Sequence, residues 1–101
     1  MINVSYLRIP MQMLLEPGFD VDAFAGLPPE RADQLWTDYT EEEAWHILLA
    51  LQFAADNPQF DFAALMPDVG QPNAKIHAFL GKVFASLREA FERRPRPSAR
   101  A

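Results

Sequence analysis

Apolar residues along this chain recur at helical spacing, in blocks separated by prolines and glycines. The clearest block lies near the C-terminal end. There Ile76, Phe79, Leu80, Val83, Phe84, Leu87, Ala90 and Phe91 follow one another at intervals that put them on one helical face. Lys75, Lys82, Ala85, Ser86 and Glu89 lie opposite. The pattern predicts a helix from about Pro72 to Arg93, ended by Pro95. A second helix is predicted from Glu41 to about Asp56, stopped before Pro58. Ala44, Ile47, Leu48, Ala50, Leu51, Ala54 and Ala55 cover one broad side of it, and Glu41, Glu42, Gln52 and Asp56 hold the opposite sector. Trp45, Leu49 and Phe53 are interleaved with those polar residues. A helix apolar on nearly all sides is central in its fold or covered by a partner.

Weaker patterns fill the rest. Ala32, Leu35, Trp36 and Tyr39 mark one face of a helix over about Pro29 to Tyr39, with Glu30 and Asp33 near its start, where the helix dipole favours acids. Ile2, Val4 and Tyr6 alternate with Asn3 and Ser5, so residues 1–9 are expected to be an extended arm. Pro10 suits the first turn of a short helix over Met11 to Glu16, which Pro17 and Gly18 stop. Two stretches, Asp22 to Pro28 and Phe60 to Pro67, read as short capped turns. The fold class is therefore all-α: a compact small bundle of three to four main helices, with the two longest packed antiparallel. Residues 1–93 are expected to form one domain, and residues 94–101 a flexible basic tail.

Charge changes this picture more than composition does. The 101-residue chain carries a formal net charge of −5, with 23% charged residues and no cysteine. Residues 1–74 hold twelve acidic side chains against Arg8 and Arg31, for a net of −10. Residues 75–101 hold seven basic and two acidic ones, for a net of +5. An acidic field of this size attracts basic surfaces and repels nucleic-acid backbones; its plain alternative is solubility. The absence of cysteine removes disulfides, thiol nucleophiles and thiolate metal sites. The apolar run Ile47 to Leu51 is too short to cross a bilayer, and MINVSYLRIPMQMLLEPG has no basic leader before an apolar run. No membrane association and no signal peptide are expected, and a cytoplasmic location fits.

Candidate chemistry is sparse. Asp38-Tyr-Thr-Glu-Glu-Glu-Ala-Trp-His46 places three consecutive glutamates at a helix start. Thr40 with Glu43 three residues later is a capping box, which explains the acids without invoking a site. Glu43-Ala-Trp-His46 also has the Glu-x-x-His spacing of carboxylate-bridged di-iron bundles. Such a centre needs a second copy of the motif, and His77 has Ala74 at the matching position. Serines stand only at 5, 86 and 98, and the four glycines are isolated. Neither a nucleophile elbow nor a phosphate loop is present. No metal, no cofactor and no catalytic residues are expected.

What remains is binding. The expected function is that of a small acidic, non-enzymatic module that inhibits a basic protein, as an immunity protein or antitoxin blocks a basic toxin or nuclease. The residues expected to bind are Glu30, Asp33, Asp38, Glu41, Glu42 and Asp56, with Trp45 as an aromatic anchor. The alternative is a self-associating assembly protein, a homodimer joined through its helices or through residues 2–9 as an exchanged strand.

Overall fold

A computed structural model describes residues 3–93. Its elements follow the order α1 (Arg8–Met11), α2 (Pro29–Asp38), α3 (Glu41–Asp56) and α4 (Asn73–Arg93). Short 3-10 turns at Val4–Leu7, Gln12–Leu15, Phe62–Leu65 and Pro67–Val69 link them. Among the described residues there is no strand, and the chain is all-α as its periodicity predicts. No helix is long and apolar enough to cross a membrane among these residues. The basic segment 94–101 lies outside them.

The centre of the fold is the pair α3 and α4, which pack against each other more extensively than any other elements. They run antiparallel. Trp45, near the start of α3, meets Phe91, near the end of α4, with ring centroids 5.4 Å apart. At the other end Phe62, in the connection after α3, lies 5.9 Å from His77 early in α4. Ile47, Ala50 and Leu51 from α3 and Ile76, Leu80, Val83 and Leu87 from α4 are fully buried. Helix α2 closes one side of α4. Its Trp36 is 5% exposed and its indole N–H donates to the Leu87 carbonyl at 3.2 Å.

The N-terminal segment departs from the sequence reading. Residues expected to be an extended arm are helical from Val4 onward, and helical turns continue to Leu15. Asn3 caps the first turn, its side-chain oxygen accepting from the Ser5 amide at 3.1 Å. The physical reason lies in burial. Leu7, Met11 and Leu14, at helical spacing, are buried, and the first turn packs on α3. That longer pattern outweighs a few alternating residues. A lone extended segment would also leave its backbone groups without partners.

Two polar side chains hold loops that the apolar pattern does not explain. Asn73, at the start of α4, accepts from the amides of Phe62 (2.7 Å) and Ala63 (3.3 Å) and donates to the Phe60 carbonyl at 2.8 Å. Asn73→Ala leaves these half-buried backbone groups unpaired and is expected to cost about 2–3 kcal/mol, read by denaturant unfolding. Ser86 accepts from the Leu27 amide at 2.9 Å and donates to the Lys82 carbonyl at 3.0 Å. Gly26 is required beside it: its φ is +127°, and a Cβ there would stand 2.9 Å from the Ser86 hydroxyl oxygen.

Candidate functional site

The corner between α2 and α3 is where the acidic residues gather. Helix α2 ends at Asp38, and α3 begins at Glu41 after only Tyr39 and Thr40. The Thr40 hydroxyl accepts from the Glu43 amide, and the Glu43 carboxylate accepts from the Thr40 amide, both at 3.1 Å. The capping box predicted from the sequence is therefore formed. Thr40→Ala should cost about 1 kcal/mol of stability, seen as a lowered melting temperature. Because Glu43 turns back on the cap, Glu41 and Glu42 are the acids of this first turn left to face outward.

The remaining predicted residues are dispersed. Asp33 in α2 forms an ion pair with Arg93 at 2.9 Å, so the end of α4 offsets part of its charge. Asp38 accepts from the Gln34 amide group at 3.3 Å. Glu30 lies in the first turn of α2, and neither its side chain nor that of Glu41 forms a hydrogen bond or ion pair with the described residues. Asp56 stands at the opposite end of the 16-residue α3 from Glu41, roughly 22 Å away at the helical rise. It accepts from Gln52 at 3.2 Å. The corner thus brings together Asp38, Glu41 and Glu42; Asp33 is tied to Arg93 of α4, Asp56 marks the far end of α3, and Glu30 sits apart.

The charge split along the sequence is partly satisfied within the fold. Besides Asp33–Arg93, Lys75 pairs with Asp22 at 2.9 Å, and Lys82 donates to the Phe24 carbonyl at 2.7 Å. These exposed pairs contribute at most about 1 kcal/mol each. They link α4 to the acidic N-terminal segments and leave Glu41, at the α2–α3 corner, without a side-chain partner among the described residues.

Trp45 sits one turn beyond Glu41 and is 42% exposed. Its neighbours form a cleft of about 350 Å³ between α3 and α4, walled by Leu48, Leu49 and Gln52 on one side and Phe84, Arg88 and Phe91 on the other. Within the stripe of Trp45, Leu49 and Phe53, Trp45 is exposed and the other two are half-buried. Phe91 meets Trp45, and Phe60 meets Phe53 edge-on at 5.3 Å. Leu49 between them lines the open cleft. The far wall was not foreseen as part of a site. Phe84 and Phe91 belong to the broad apolar stripe of α4, and both are only half-buried. A stripe eight residues strong, wider than one neighbour covers, is the signal that marks them.

Histidine chemistry takes a structural form. His46 stacks on Tyr6 with centroids 5.4 Å apart and lies 3.8 Å from the Glu42 carboxylate. His77 packs against Phe62. The Glu43 carboxylate that a metal would need is bound to the Thr40 amide. Among the described residues no three His, Asp or Glu side chains form a metal-binding group. A smaller cavity of about 150 Å³ lies between Ile9, Met13, Leu27 and Leu35, with the exposed Arg31 and Asp38 beside it. It is well below the several hundred Å³ usual for ligand pockets. The sequence matches no protein-family model, and no curated protein and no solved structure is significantly similar to it.

Proposed function

We propose that this chain is a small non-enzymatic binding module whose acidic α2–α3 corner blocks a basic protein, in the manner of an immunity protein or antitoxin acting on a toxin or nuclease. The observation that carries the reading is the juxtaposition at the start of α3. Outward-facing Glu41 and Glu42, next to Asp38, stand one turn from the exposed indole of Trp45. Aromatic anchors supply buried area at the centre of an interface, and surrounding charges set partner choice and approach rate. A basic active site that grips phosphate groups presents the complementary surface, and a compact acidic partner occludes it. The cytoplasm, where such a target would threaten its own cell, is the proposed place of action.

A basic protein recovered on the immobilised chain from native cell extract would be assayed with and without it. Loss of that protein's activity on stoichiometric addition supports inhibition. Full activity at saturation contradicts it.

A second reading is favoured by one observation, the open apolar cleft beside Trp45. In it the chain is an assembly protein that forms a homodimer through its α3–α4 face. Light scattering separates the two: an obligate dimer at all accessible concentrations supports assembly, and a concentration-independent monomer supports the inhibitor.

A further inference from the structure

The α3–α4 cleft is shaped for something more specific than a basic surface. Two antiparallel helices lying side by side leave a groove that accepts the side-chain ridge of a third. Along α3 the groove is lined at Trp45, Leu49 and Gln52, and along α4 at Phe84, Arg88 and Phe91. Each set recurs every three or four residues and extends over about two helical turns, roughly 10 Å. An occupant presenting apolar side chains at i, i+4 and i+7 matches that length. An extended segment, with side chains alternating every second residue, matches it poorly.

Charge selects among helical occupants. Glu41 lies on the Trp45 face one turn before it, and Asp56, tied to the cleft-lining Gln52, lies one turn beyond. Glu92 lines the opposite wall. The cation of the cleft, Arg88, is already drawn to Glu92 at 3.8 Å. Glu41 and Glu92 therefore stand at one end of the groove, where Trp45 meets Phe91, and Asp56 stands beyond the other. A second copy of this acidic chain would bring carboxylates against carboxylates, whereas lysines and arginines flanking an apolar stripe would meet them favourably.

We propose that the α3–α4 cleft is the docking groove for one basic amphipathic α-helix of a partner protein. Its apolar ridge is seated on Trp45, Leu49, Phe84 and Phe91, and its lysines or arginines lie beside Glu41, Asp56 and Glu92. This inference rests on the reading of the chain as a binder of basic proteins, and it names the element of the partner that is recognised.

The test titrates two synthetic peptides of about twenty residues onto the full-length chain. One carries leucines at i, i+4, i+7 and i+11 with lysine and arginine elsewhere; the other is a scramble of identical composition. Binding is followed by tryptophan emission, in which the exposed Trp45 responds against the constant background of buried Trp36, and by amide NMR shifts. The helical peptide is expected to bind with a blue shift and with shifts along Trp45–Gln52 and Phe84–Glu92. Scrambling, or Leu49→Glu, should weaken it about tenfold or more. Leu49→Ala, which adds no charge, should weaken it severalfold and keeps the test decisive should L49E not fold.

Equal binding of both peptides, unaffected by either Leu49 variant, overturns the groove while leaving attraction to basic proteins intact. Absence of binding by both peptides overturns it too, and capture from native extract then judges the broader reading separately. A dimer that Leu49→Glu converts to monomer would assign the cleft to a second copy and also overturn the proposal.

Discussion

Replacing Glu41 and Glu42 together by lysine is expected to slow association with a basic partner by about tenfold to a hundredfold at low ionic strength. Both carboxylates are exposed in the first turn of α3, so the substitution inverts the charge of the corner without entering the core. The effect should fall steeply with salt, because at physiological ionic strength exposed charges are screened beyond roughly 8 Å. Dissociation should change less, since release depends mainly on the packed anchor at Trp45 rather than on outlying charge. Stopped-flow rates at several salt concentrations separate these contributions. Association rates equal to wild type at low salt would remove steering from the account. The acidic residues would then serve solubility alone.

Phe79→Ala is expected to destabilise the fold by about 3–5 kcal/mol, a large part of the total for a domain this small. Phe79 is 1% exposed on the buried face of α4. Its ring meets Phe24 at 4.9 Å and Phe19 edge-on at 5.8 Å. Those two rings belong to the long connection between the N-terminal turns and α2, which has few other apolar anchors. Truncation therefore opens a cavity in the core and also releases that connection. Calorimetry should show the melting temperature lowered by on the order of 15–30 °C. A fall of only a few degrees would mean that Leu80 and Val83 hold α4 without help from the connection.

The two large helices were legible because their signals are local. Thr40 and Glu43 mark the start of α3 and Pro58 its end; Pro72 and the eight-residue apolar stripe mark α4. The N-terminal segment was not legible. Three alternating residues give a strand-like period, and only the fold shows that Leu7, Met11 and Leu14 are buried, with the first turn packed on α3 and the next on α4. Asn73 has no local signature either, because its partners at Phe60, Phe62 and Ala63 are more than two helical turns away in sequence. The candidate site is half legible in the sequence. Consecutive acids at a helix start and an aromatic residue among them could be read from the chain. Sequence could not show that Asp33 is offset by Arg93, that Asp56 stands at the opposite end of α3, or that Phe84 and Phe91 form the far wall of a cleft. Those facts depend on how helices are arranged in space.

The most direct test of the acidic corner is a paired capture from native extract at low salt, with wild-type and E41K/E42K chains immobilised side by side and eluted by a salt gradient. The account predicts one basic protein released from the wild type at moderate salt and strongly depleted on the variant. Recovery of the same proteins in equal amounts on both chains, or of this chain alone as a stable oligomer, would contradict it.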